Sequence, residues 1–159
     1  MDRRTVLARQ DAARAELLTA IAGLDETTMA TLPVVGAWTI KEVLAHLAGR
    51  AAWHLAAIRQ VQAGEQPDFA VLQDVQPLSA QHVKERASWT VAEILDEMDA
   101  TRTALEELLM AMPEEDLFRV GHFRGPHWDN LAGWLRVARE HEEEHAVQLR
   151  AWRTAVATI

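Results

Sequence analysis

Apolar residues recur at helical spacing through most of the chain, and turn signals divide the pattern into four long segments. The first runs from about Thr5 to Ala22, with Leu7, Ala13, Leu17, Leu18 and Ile21 on its stripe and Gly23 where a C-terminal cap belongs. Leu24 to Val35 reads as a loop or short turn. The second segment opens sharply after Gly36-Ala37-Trp38. Thr39 and Glu42 have the spacing of a capping box, in which the hydroxyl accepts from the N3 amide while the N3 carboxylate reaches back to the cap. Ile40, Val43, Leu44, Leu47, Ala51, Leu55 and Ile58 follow, to an end near Gln62.

Gly64 to Ser88 is a long connection of mixed polarity with a short helix expected over Ala80 to Arg86, and connections of that length are more often functional than idle. A second capping box, Thr90 with Glu93, opens the third segment, whose stripe of Val91, Ile94, Leu95, Met98, Leu105, Leu108 and Leu109 reaches Met112 before Pro113 stops it. After a loop carrying Gly121, Gly125 and Pro126, Asp129 is the expected cap of the last helix. That helix carries Leu131, Trp134, Leu135, Ala138, His141, His145, Leu149 and Trp152 on one face. Segments of about 18 to 26 residues match one another in length at 1.5 Å per residue. The pattern therefore predicts an all-α fold, an antiparallel four-helix bundle with a long connection between its second and third helices. No stretch alternates as a strand does, and no heptad seam or internal repeat competes.

A chain of 159 residues, 49% hydrophobic, is expected to form one domain over residues 1–159 with a core of its own. Its formal net charge is −8 and no face concentrates Lys or Arg, so nucleic acid is not an expected partner. The apolar run Leu44 to Ala57 is broken by His46, Arg50 and His54, well short of the roughly 20 clean residues a membrane span requires. Met1-Asp2-Arg3-Arg4 leads straight into an amphipathic pattern without the apolar core of a secretory signal, so the cytoplasm is the expected location. Cysteine and tyrosine are both absent. Disulfides, thiolate ligands and a cysteine nucleophile are thereby excluded, and any thiol chemistry must use a small molecule.

Candidate chemistry concentrates on histidines. His141 and His145 are four residues apart, so they project from the face that Trp134 and Ala138 turn toward the core. This is the spacing by which one helix presents two nitrogens to one cation; the alternative is a pair of core histidines satisfied by hydrogen bonds. A third ligand must come from another helix, and His46, among Val43, Leu47 and Trp53, is the best candidate. At about 100° per residue it lies roughly 120° from the centre of its helix's apolar stripe, at the edge. His54 reads as a surface or wall residue, and His82, His122 and His127 as solvent-bonded, with His127 and Trp128 at the rim of a pocket. Trp38, Trp89 and Trp128 precede helices, where packing explains them. Glu142 is expected to be exposed, and Arg102 to snorkel.

The run Gly36-Ala37-Trp38-Thr39-Ile40-Lys41-Glu42-Val43-Leu44-Ala45-His46-Leu47, followed much later by His141-Glu142-Glu143-Glu144-His145, resembles the DinB-like superfamily of four-helix bundles over nearly the whole chain. The resemblance implies that His46, His141 and His145 form a three-histidine site for a divalent metal, commonly zinc or nickel, with positions open to water or substrate. Relatives of this kind include thiol-dependent S-transferases and isomerases, and members often dimerise through helix faces. The implied activity is transfer of a low-molecular-weight thiol or water to a small electrophile at the metal, in a homodimer acting on a small-molecule substrate. No catalytic residue is assigned. Three protein ligands leave a coordination position open, which favours activity over a structural staple. Two other readings stay open: a non-catalytic protein that binds or sequesters a small molecule, and a metal-free helical dimer.

Overall fold

Side-chain caps fix where most of the helices of this computed structural model begin. It describes residues 1–157 as α1 (Arg3–Ile21), α2 (Glu26–Thr31), β1 (Pro33–Val35), β2 (Trp38–Thr39), α3 (Ile40–Gln62), α4 (Gln76–Glu85), α5 (Val91–Ala111) and α6 (Leu131–Ala157). Short 3-10 turns cover Phe69–Leu72 and Glu114–Leu117. Asp2 caps α1 by accepting from the Thr5 amide at 2.8 Å. Both capping boxes form: the Thr39 hydroxyl accepts from the Glu42 amide while Glu42 accepts from the Thr39 amide, and Thr90 with Glu93 repeats the arrangement at α5.

Four local expectations are corrected. Leu24 to Val35 is not a loop: Asp25 caps α2, and β1 pairs antiparallel with β2 across a turn in which Gly36 takes a φ of +58°. Strands this short carry no readable alternation. Helix α4 starts at Gln76, ahead of the expected Ala80, because Pro77 sits in its first turn, where the missing amide hydrogen costs nothing. Asn130 caps α6 in place of Asp129, its Oδ1 accepting from the Gly133 amide at 2.8 Å while its carbonyl accepts from the Trp134 amide.

The fourth correction concerns direction. One core cluster joins Leu17 and Ile21 of α1, Ile40, Val43, Leu44, Leu47 and Ala48 of α3, Val91, Ile94 and Met98 of α5, and Ala146 and Leu149 of α6. The other joins Val6, Ile58, Leu109 and Leu131 to Leu135, the opposite ends of the same helices. Helices α1 and α6 therefore run together, and α3 and α5 run together in the opposite sense. An alternating antiparallel order fails because the connection after α3 carries the chain back along it: α3 is about 35 Å long at 1.5 Å per residue, and α4 packs against it on the return. Polar contacts fix the register of α1 on α6: Gln10 Nε2 donates to the Leu135 carbonyl, Arg14 pairs with Glu142 and Arg150 with Glu16. Among the described residues no helix is long and apolar enough to cross a membrane.

Candidate metal centre

The first half of α3 is buried all round, Val43 to Gly49 without a break, because the hairpin, α2, α4, α5 and α6 surround it. His46 is therefore only 4% exposed although its angle puts it at the edge of the stripe. Across from it, α6 presents His141 and His145 one turn apart. His46 Nε2 lies 2.9 Å from His141 Nε2, and His145 Nε2 lies 3.2 Å from the same atom. Trp38, delivered by β2, covers the His46 ring at a centroid distance of 5.1 Å. The structure thus brings together all three histidines singled out by the sequence, with one nitrogen of each within 4.8 Å of the others.

Burial sets the protonation of the group. Desolvation, reinforced by the neighbouring histidines, pushes the pKa of His46 and of His141 down to about 3, and desolvation lowers that of His145. At neutral pH all three imidazoles are uncharged. His145 Nδ1 sits 2.8 Å from Gln148 Oε1; an amide oxygen only accepts, so Nδ1 carries the hydrogen and Nε2 a lone pair. A proton on His141 Nε2 then has two acceptors to serve. Without that proton, the lone pairs of His141 and His145 face each other at 3.2 Å. A divalent cation removes the conflict by accepting all three lone pairs. Two nitrogens held by one cation at 2.0–2.1 Å lie at most about 4.2 Å apart, and the separations of His141 Nε2 from His46 and from His145 fall inside that limit. The three histidines form a group of neutral donors able to hold a divalent metal.

A cavity with about 660 Å³ of empty space, its opening to solvent included, adjoins His141. All of its lining comes from α1, α3, α5 and α6, so the Gly64–Ser88 connection and the Val120–Asp129 loop do not contribute to it. His127 is exposed and Trp128 lies in the core, stacked on Trp134 and donating to the Phe123 carbonyl at 2.9 Å, so neither rims this cavity. His54 is a buried wall residue: Trp134 Nε1 donates to its Nδ1 at 2.8 Å, and desolvation, with Arg50 close by, takes its pKa to about 3. His82 is also buried, its ring packed on Gly49, where a β-carbon would come within 2.2 Å. Glu142 is not free on the surface; Arg14 holds it at 2.6 Å. Arg102 is held at the rim, donating to Asp11 at 2.6 Å and to the Leu7 carbonyl. Two residues that sequence reasoning passed over belong to the site, Gln148 behind His145 and Arg50 in the cavity wall. A signal for Arg50 existed: His46, Arg50 and His54 form a polar line at i, i+4 and i+8 within an apolar run.

The mainly helical fold and its histidine cluster define the class, and the sequence agrees. The chain belongs to the DinB superfamily, whose sequence profile matches residues 9–149. Solved structures share the fold at low identity. A protein from Streptococcus pneumoniae superposes with a TM-score of 0.82 at 14% identity, covering 97% of this chain and 91% of that one. An uncharacterised protein from Escherichia coli UTI89 gives 0.82 at 12%, covering 98% and 95%. The sibling lethal factor precursor DfsB gives 0.82 at 18%, covering 98% and 96%. These likenesses are of fold alone. No curated protein matches the sequence.

Proposed function

We propose that this protein binds one divalent cation, zinc or nickel, through His46, His141 and His145, and that it is an enzyme transferring a low-molecular-weight thiol or water to a small electrophile. The convergence of three neutral Nε2 atoms carries the reading. Bound there, the cation supplies Lewis acidity that lowers the pKa of a thiol or water at an open position. The chain's own groups prepare the place. Gln148 fixes the tautomer of His145, Trp38 closes one side of His46, and the bundle formed by the four long helices supplies a cavity that restricts water beside His141. With no cysteine in the chain, a thiol substrate meets no internal competitor for the cation. We place the activity in the cytoplasm, in a homodimer.

Elemental analysis of untagged protein tests the site. About one equivalent of zinc or nickel is expected in the wild type, and none in His141→Ala. Full metal content in the variant, or no uptake by the wild type on titration, refutes it. The cavity also suits a protein that sequesters a small molecule without turning it over; recovery of unaltered electrophile after long incubation with metal-loaded protein and thiol favours that second reading.

A further inference from the structure

Arg50 lies one turn beyond His46 on α3 and lines the cavity together with His54, a further turn along. Its Nε and Nη2 are shut off from solvent and have no hydrogen-bond partner. None of the ion pairs among the described residues includes it. These two nitrogens form one edge of the guanidinium, where two parallel N–H groups match the two oxygens of a carboxylate. The same protein uses that edge twice elsewhere. Arg14 Nε and Nη2 hold the Glu142 oxygens at 2.6 and 3.5 Å, and Arg86 Nε and Nη2 hold the two Glu97 oxygens at 3.2 and 2.6 Å. In Arg50 the edge has no carboxylate.

Nothing else in the cavity neutralises it. Glu142, the acidic group of the lining, is engaged by Arg14, and Arg102 takes the neighbouring Asp11. The groups around Arg50 are histidines, none of them an anion. Desolvation also lowers the pKa of Arg50 itself. A desolvated, unpaired cation is a costly thing to keep in a fold, and a bound anion offsets the cost. The remaining walls, Leu47, Leu55, Ile58, Met98, Leu105 and Leu135, are apolar.

We propose that the cavity binds a small organic acid with a short apolar body, its carboxylate paired with the Arg50 guanidinium, whose closed Nε–Nη2 edge turns into the cavity to receive it, and its apolar part among Leu55, Met98 and Leu135. That this acid is the electrophile or its product rests on the metal-centred activity proposed above; its capture by Arg50 does not. Arg50 is a binding residue in this scheme, placing the acid beside His141.

Isothermal titration of the purified protein with benzoate and hexanoate, against benzamide and hexanamide, is the test. Both acids bind at one site and the neutral amides bind at least about ten-fold more weakly. Arg50→Gln removes the charge, whereas Arg50→Lys keeps the charge and loses the edge; both weaken the acids by about 10- to 100-fold. Chelator treatment leaves the acids bound. If acid and amide bind alike, if neither acid binds, or if folded Arg50→Gln keeps wild-type affinity, the proposal is wrong. Loss of acid binding on chelation, with Arg50→Gln unaffected, makes the cation the anion receptor and also overturns it. The acid–amide comparison uses wild-type protein, so it decides even where a variant does not fold. Acids that bind through Arg50 in a protein that takes up no metal leave this proposal standing and end the metal reading.

Discussion

Replacing Gly49 with alanine tests how closely α4 is pinned to the helix that bears His46. A β-carbon at position 49 would lie 2.2 Å from His82 Cγ and 2.4 Å from His82 Cβ. Carbon atoms pack at about 3.5–4.0 Å, so the separation is short by more than about 1 Å. One clashing atom is itself a β-carbon, fixed to the α4 backbone, so no rotamer of His82 clears the contact and α4 must move. Overpacking of this kind costs about 1–3 kcal/mol, while exchanging glycine for alanine inside a helix returns up to about 1 kcal/mol. The expected net loss is about 1–2 kcal/mol, or a fall in Tm of about 2–8 °C for a domain of this size. Urea and thermal unfolding followed by circular dichroism, in chelator so that metal binding does not contribute, measures it. In a His82→Gly background the clash disappears and Gly49→Ala should become neutral or mildly stabilising, a coupling of about 1–3 kcal/mol. A Gly49→Ala variant within about 0.5 kcal/mol of wild type, or a cost that persists in the His82→Gly background, refutes the reasoning.

Other perturbations follow from the same contacts. Gln148→Leu removes the acceptor that orients His145 and should weaken metal binding about 10- to 100-fold in competition with a chelating dye; unchanged affinity means that Gln148 does not set the tautomer. Trp134→Phe leaves His54 Nδ1 buried without its donor and should cost about 1–3 kcal/mol beyond the lost ring volume in urea unfolding; a loss confined to the volume effect shows that the 2.8 Å bond contributes nothing. For pH, His46, His54 and His141 have folded pKa values of about 3 against an ordinary 6.5, so the unfolded chain takes up protons first as pH falls. Stability of the chelated protein is full above about pH 6.5 and declines between there and about 3. His54→Phe should make the decline shallower by about 1.4 kcal/mol per pH unit, one proton's worth; an unaltered slope rules out a neutral buried His54.

Features that depend on near neighbours in sequence were legible. The boxes Thr39/Glu42 and Thr90/Glu93 and the His141/His145 pair are contacts between residues three or four apart, and helical spacing alone specifies them. His46 was harder, because a stripe predicts burial only where one side of a helix faces the core, and the first half of α3 has protein on every side. The same enclosure hid His54, and the approach of α4 to Gly49 hid His82. Helix direction was out of reach, since hydrophobic spacing is the same read along a helix in either sense. Arg50 and Gln148 gain their meaning from their surroundings, a cavity wall that offers the guanidinium no partner and an imidazole on the preceding turn.

The pairing of α1 with α6 also bears on how the molecule is made. His46 meets His141 across 95 positions of chain, and Arg14 meets Glu142 across 128. At about 5–20 residues per second on a ribosome, α3 waits roughly 5 to 20 seconds after its own synthesis before the helix that completes its histidine cluster exists. Throughout that interval the apolar first half of α3 lacks one of its covers, and a cation that met His46 would find one ligand. The cluster is consequently the last thing to be built. Such distant pairings also make for slow folding, so the growing chain gains from whatever shields α3 until its final helix arrives.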